Sequence, residues 1–314
     1  MTFVDGPRRG RRRAEQRDKT TSTGNSLVPT ISTGGAPVYY EERGQGDIVV
    51  FVHGIPTDHR AWTGQLEAFS AGRKVVTVSR RYAFPNQRTG DLSDSTVQNN
   101  SADIEGLVKT VASGRVDLVG HSYGGFICAY LAAARPELVR SLVLVEPAVS
   151  TLLVANQSSQ AQLLGLLLRS PSVALSGRKF QKQSLAPSLA AVERGDFPRA
   201  VELNVDGVQD LKGAFAGLPD ETKRMMLDNA KTIAELRTEF PRFTSGDARR
   251  IASRTLIVNG ERSPLWLRRI GELLQSSIAG SEKVVIPGTR HFPHMEAPRL
   301  FNEKVLGFME AGKA

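Results

Sequence analysis

The chain has 314 residues, with 41 Lys+Arg against 32 Asp+Glu, and 40% of its residues are apolar. That length and balance suit a globular protein of one or two domains with a core of its own, and they exclude a fibrous or wholly disordered chain. Cys128 is the one cysteine, which excludes an intrachain disulfide and a cysteine-rich zinc site and makes a reducing, cytoplasmic setting the expectation.

In chain order, residues 1–28 come first, and they are basic. Arg8, Arg9, Arg11, Arg12, Arg13, Arg17 and Lys19 face only Asp5, Glu15 and Asp18, almost half of the chain's net charge of +9. The stretch has no hydrophobic periodicity and runs into Thr20–Ser26, so it is expected to be a disordered arm outside the chemistry. Phe3 is its only aromatic residue, which leaves no stacking platform for nucleic acid. Its paired arginines are followed by no apolar run of the kind an export signal needs.

Leu27–Ser32 and Val38–Glu42 flank Gly34-Gly35 and predict an antiparallel hairpin. Short runs rich in Val and Ile follow at Ile48–Val52, Val75–Val78, Val116–Val119, Leu142–Val145, Thr255–Val258 and Val284–Ile286. They are too short for helices, and most are followed by a helical pattern, so they predict βαβ units around a parallel sheet buried on both faces. Residues 150–250 break this rhythm, with helical patterns at Pro187–Arg194, Asp220–Asn229 and Lys231–Phe240 and no clear strand. They are expected to cap the carboxyl ends of the strands, where open α/β sheets bind ligands, with residues 29–149 and 251–314 as the two parts of the core. No transmembrane span is expected. The longest uncharged run, between Glu146 and Arg169, includes Asn156, Gln157, Gln160 and Gln162 and reads as a buried or lid segment.

Gly120-His121-Ser122-Tyr123-Gly124-Gly125 directly follows one predicted strand and precedes the helical stretch Phe126–Ala134. A G-x-S-x-G sequence in that setting predicts a sharp strand-to-helix turn that holds the Ser122 hydroxyl clear of the sheet as a nucleophile. The first amides of the following helix then point at the same place, where partial positive charge favours an oxyanion. His53-Gly54-Ile55-Pro56 ends an earlier strand at the same edge. The amides of Ile55 and Tyr123 are therefore the candidate oxyanion hole, and His53 is expected to brace the loop. Of five histidines, His53, His59 and His121 lie in or beside these loops. That leaves His291 or His294 as the base, with His291, nearer the last strand, preferred.

Together, His53-Gly54, Gly120–Gly125, His291 and His294-Met295-Glu296-Ala297-Pro298 resemble the α/β-hydrolase superfamily over roughly residues 35–312. The resemblance implies an α/β-hydrolase fold: an eight-stranded, mostly parallel sheet, helices on both faces, a helical cap after the sixth strand, and a Ser–acid–His triad in that order. Haloalkane dehalogenases and epoxide hydrolases of the superfamily carry Asp at the elbow, where this chain has Ser122. The chain also departs from the pattern at the acid. Family members commonly place an Asp three residues after the glycine ending the seventh strand, and here Gly260-Glu261-Arg262-Ser263 puts a serine there. Glu146, at the end of the sixth strand, is the favoured replacement, because some members supply their acid from that position. Glu261 is the alternative.

Gly54, Trp62, Arg81 and Leu152 are candidate substrate contacts. For Trp62 and its neighbour Gln65, packing is the competing expectation; for Arg80 and Arg81 it is salt bridges. Phe126, Leu153, Leu163, Leu164 and Phe215 are candidate pocket, cap or core residues. A small-molecule substrate is expected, with no cofactor and no metal, and the basic excess, almost half of it in the arm, gives no reason to expect nucleic acid at the catalytic domain. The leading expectation is a serine hydrolase of a small, moderately hydrophobic ester, thioester or lactone, acting through an acyl-enzyme. C–C bond hydrolysis or a cofactor-free lyase or cyclase step comes second, and a non-catalytic ligand receptor third.

Overall fold

The Val- and Ile-rich runs form eight strands. In the computed structural model, which describes residues 1–2, 30–33, 36–86, 90, 92–156 and 159–312, they are β1 (Thr30–Thr33), β2 (Ala36–Arg43), β3 (Asp47–Val52), β4 (Arg73–Val78), β5 (Val116–His121), β6 (Val139–Val145), β7 (Arg254–Gly260) and β8 (Glu282–Ile286). They make one sheet in the order β1-β2-β4-β3-β5-β6-β7-β8. β1 and β2 pair antiparallel, as do β2 and β4, and all the other pairings are parallel. The predicted basic arm and the Gly34-Gly35 turn lie outside the described residues, apart from Met1 and Thr2.

The chain passes from β3 to β4 on one side and then crosses to β5 on the other. Loops leaving β3 and β5 therefore diverge at a switch point of the carboxyl edge, where open α/β sheets bind ligands. Side chains alternate across the sheet as a two-residue period requires. Val50 and Val52 pack on one face with Leu118, Phe126 and Ile270; Val49 and Phe51 pack on the other with Trp62, Phe69, Phe301 and Phe308. Each fully buried aliphatic or aromatic side chain contributes roughly 1.5–3 kcal/mol. At the opposite edge, buried Asp117 accepts from Arg73, Arg140 and Ser141, fastening β4, β5 and β6 together. β8 is an edge strand with Val285 exposed, so burial on both faces does not extend to it.

Among the described residues, 150–250 contain helices and no strand. They are Gln160–Arg169, Pro171–Phe180, Ala186–Glu193, Phe197–Val208, Asp220–Asp228 and Ser245–Ala248, with a tight helical segment at Ala230–Arg237. Local chemistry sets their ends. The Ser159 and Asp196 side chains accept backbone hydrogen bonds at the starts of two of them. Pro171 and Pro198 sit in first turns, where a missing N–H costs nothing, while Pro187 follows the wider turn Gln181–Leu185 that joins its helix to the one before. The segment joins the carboxyl edge of the sheet through Asn229 on Asp58, Glu235 on Arg80 and Gln209 on His291. Its first helix is not core: Gln160–Arg169 has no buried residue, and Leu163 and Leu164 are exposed. Among the described residues no helix is long and apolar enough to cross a membrane.

Candidate active site

Ser122 stands between β5 and the helix Tyr123–Ala134 with φ 53° and ψ −116°, a strained conformation that a sharp turn imposes. The glycines around it are needed for space. A Cβ at Gly120 would come within 2.5 Å of the Gly124 carbonyl, and one at Gly124 would collide with the carbonyls of Val52 and His53. The turn is held from below, where the Ser122 amide donates to Val145 O at 2.9 Å and its carbonyl accepts from Phe126 and Ala148. The Ser122 side chain lies 3.0 Å, Oγ to Nε2, from His291.

His291 lies between β8 and the short helix Pro293–Glu296. Its Nδ1 faces Glu146 Oε2 at 3.4 Å, which leaves Nε2 to accept the Ser122 hydroxyl proton. Glu146 ends β6 with φ 48° and is wholly buried. Its other oxygen, Oε1, accepts from the Gly260 amide at 2.7 Å and from Asn259 Nδ2 at 3.0 Å, so the carboxylate is fixed from β7 while it faces the imidazole. Glu261 lies elsewhere. It is exposed, and its carboxylate accepts from the Gly288 amide at 2.8 Å. Ser263, at the position where an aspartate was expected, is buried, with no hydrogen-bond partner for its hydroxyl among the described residues.

Gly54 brings the loop after β3 against the elbow, since a Cβ there would lie 2.9 Å from Ser122 Cβ. This sets Ile55 beside Ser122. Tyr123 is the first residue of its helix, so its amide has no carbonyl one turn back to bind. The Tyr123 hydroxyl is turned away and donates to Ser95 O at 3.0 Å. His53 braces the loop: its ring lies 2.8 Å from Gly54 O through Nδ1, and Nε2 accepts from the Arg80 amide at 3.0 Å. Burial first, then Arg80, holds its pKa well below 6.5, so it stays neutral.

Neither arginine after β4 is free to anchor a substrate. Arg80 donates to Glu235 Oε2 at 2.7 Å and to His53 O at 3.1 Å, with its guanidinium 4.9 Å from the Tyr123 ring centre. Burial raises the Glu235 pKa while Arg80 opposes it. Arg81, a candidate substrate contact from sequence, is instead buried in a two-pronged pairing with Asp103 at 2.7 and 2.8 Å, and it also reaches Asp94. Trp62 is corrected in the same way. It is wholly buried between Phe51 and His294 at ring distances of 4.9 and 4.5 Å, so it is core. Gln65 ties the His294 carbonyl to Asn302. Leu152 and Leu153 are half-buried at the edge of the core, as is Phe215, and Phe126 is wholly buried against Phe240 and Phe243.

His294, the alternative base, contacts neither Ser122 nor Glu146. Its ring is buried against Trp62 and His121 with neither nitrogen hydrogen-bonded, and burial, helped by His291, pushes its pKa down to about 3. His121 Nε2 lies 2.8 Å from the His291 carbonyl and fixes that loop. His59 sits apart, 2.8 Å from Ser79 Oγ.

Sequence reasoning missed Gln209. This residue, at the end of helix Phe197–Val208, accepts from the His291 amide at 2.8 Å and donates to Glu296 at 3.1 Å. Glu296 in turn accepts from the amides of Arg290 and Phe292, and Arg290 donates to the Gln209 carbonyl. The insertion thus grips the histidine loop at several points.

The sequence of this chain matches the Alpha/beta hydrolase family over residues 49–304. A 2-(acetamidomethylene)succinate hydrolase from Mesorhizobium japonicum is 25% identical over 295 residues, covering 90% of this chain and 94% of that one. An epoxide hydrolase 2 from Siraitia grosvenorii is 30% identical over only 115 residues, 36% of each chain. The fold of an esterase from Exiguobacterium antarcticum superposes with a TM-score of 0.67 at 18% identity, covering 90% of this chain and all of the other.

Proposed function

The chain belongs to the alpha/beta hydrolase family, and from that premise we propose that it is a serine hydrolase of a small carboxylic ester, thioester or lactone. One observation carries the reading: Ser122, His291 and Glu146 form a connected chain of contacts at the carboxyl edge of the sheet. Ser122 Oγ attacks the carbonyl carbon as its proton passes to His291 Nε2. The tetrahedral oxyanion faces the amides of Ile55 and Tyr123, and Glu146 steadies the imidazolium. Collapse breaks the bond to the leaving alkoxide or thiolate, which takes the proton from His291. Water, deprotonated by the same nitrogen, then attacks the acyl-enzyme, releasing the acid and restoring Ser122.

An ester, thioester or lactone is favoured over an amide because an alkoxide or thiolate leaves without prior protonation more readily than an amine. The relative named as a 2-(acetamidomethylene)succinate hydrolase supports a small-molecule substrate. Helices 160–248 act as the cap in this reading, and half-buried Leu152 supplies apolar surface for the acyl group. Serine in place of the expected aspartate at position 263 keeps C–C bond hydrolysis on the same scaffold as the second reading. A panel of acyl esters of graded chain length tests the proposal. We expect turnover of short to medium chains and its loss in Ser122→Ala by about 10⁴-fold or more. Full turnover by that variant would overturn the reading, and cleavage of a vinylogous diketone with no ester turnover would favour the second.

A further inference from the structure

The first two helices of the insertion take no part in the site described above. Gln160–Arg169 and Pro171–Phe180 pack on each other, and neither has a buried residue. Leu163, Leu164, Leu167 and Leu168 fall at i, i+1, i+4 and i+5, which is one face of the first helix. All four are exposed, Leu168 by 76%, and Leu175 on the second helix is exposed by 58%. Single exposed leucines are ordinary, but four on one helical face make a contiguous apolar patch of the kind that marks a contact surface.

The charge around the patch identifies the partner. From Pro147 to Val192 the chain has no Asp or Glu, while it has Arg169, Arg178, Lys179 and Lys182. Lys179 pairs with Asp210. Arg178 and Lys182, three and seven residues after Leu175 and so on its side of the second helix, are exposed, with no ion-pair partner among the described residues. A second copy of the chain would set these cations against one another across a two-fold axis, with no acid in the segment to answer them. An anionic lipid surface meets both requirements, since it takes leucines into the acyl boundary and cations at the headgroup phosphates. Ten helical residues reach about 15 Å, half of a hydrocarbon core of about 30 Å, so such a helix lies on a bilayer and does not span it.

We propose that residues 160–182 dock this protein peripherally on an anionic membrane surface through the leucine face and its basic border. The proposal is independent of the chemistry at Ser122. Its test is co-sedimentation of the full chain with vesicles of phosphatidylcholine alone or mixed in equal parts with phosphatidylglycerol. We expect binding to the mixed vesicles at least about tenfold tighter than to phosphatidylcholine, and release at high salt. Leu164→Asp/Leu168→Asp should lose at least about tenfold in that binding while keeping its melting temperature, because both side chains are exposed. Arg178→Glu/Lys182→Glu should lose binding as well, and it decides the question alone if the leucine variant does not fold. No binding by the unmodified chain, equal binding to both vesicles, or binding unchanged in a folded variant would overturn the proposal. A dimer that the leucine substitutions split into monomers, with no vesicle binding, would assign the face to a second copy and overturn it equally.

Discussion

At the carboxyl edge of the sheet, Ser122, His291 and Glu146 are nearly or wholly buried and joined in sequence, each at the end of a strand or on a strand-following turn. In the insertion, the first helix has no fully buried residue, and four of its leucines are exposed. The two regions are built by different means. Backbone geometry imposed by the sheet fixes the edge, so its atoms arrive where the chemistry needs them with little help from side-chain packing. The rest of the insertion shares the sheet's apolar core through Val201, Val205, Met226, Ile233 and Phe243, and Asn229, Glu235 and Gln209 add long-range polar contacts. The proposed reaction belongs to the edge, and the proposed surface contact to the first two helices of the insertion.

That division can be broken most sharply at the acid. Glu146→Gln keeps the shape and removes the charge facing His291, so kcat should fall by about 10²- to 10⁴-fold. If ester turnover survives Glu146→Gln and is lost in Glu261→Gln, the acid has been placed on the wrong strand.

Gln209 tests whether the insertion contributes to the edge. Gln209→Leu leaves the His291 amide and Glu296 without that partner. The histidine loop should then wander, lowering kcat by about tenfold or more, with a smaller effect on KM. Gln209→Asn, which keeps both an acceptor and a donor on a shorter side chain, should recover part of the loss. Equal losses in kcat and melting temperature for both variants would reduce Gln209 to a fold contact.

A smaller effect separates the regions by pH. His53, His121 and His294 are wholly buried at the edge, and burial foremost holds their pKa values below 6.5, that of His294 at about 3. In the unfolded chain each takes up a proton near pH 6.5, so below that pH the unfolded state binds more protons than the native one. Their contribution to stability is complete above the unfolded value and is lost as pH falls, by up to about 1.4 kcal/mol per pH unit for each. Urea midpoints should drop between about pH 7 and about pH 5, and His294→Leu should flatten the drop. A midpoint unchanged over that range would mean that these rings are hydrated in the native state.

Smallest of all should be Glu261→Gln. It alters one hydrogen bond to the Gly288 amide at an exposed position, and turnover should stay within about twofold.

These outcomes bear on what was legible from residues alone. The elbow was legible because its signal is local: glycines at fixed offsets around Ser122, a strand before and a helix after. Place after the last strand narrowed five histidines to His291 and His294, and nearness to the strand end favoured His291. The strands were legible because burial on both faces demands unbroken Val and Ile runs. Gln209 and Glu235 carried no such signal. Their partners, His291 and Arg80, lie 82 and 155 residues away, and only the docking of the insertion brings them together. Trp62 and Arg81 show a different limit. An aromatic ring or a guanidinium near the edge suits either a ligand or an internal partner, and here Phe51 with His294, and Asp103, occupy them. Leu163 and Leu164 left pocket, cap and core open for a similar reason, since a one-sided apolar helix reads alike whatever that face meets.

The central claim is that Ser122 is the nucleophile, and covalent labelling tests it most directly. Incubating the chain with a fluorophosphonate and measuring its intact mass should show a single adduct, mapped to the peptide containing Ser122 and absent from Ser122→Ala. Ester turnover should fall in step with labelling. A probe bound elsewhere, or sustained ester turnover by a chain fully labelled at Ser122, would contradict the account.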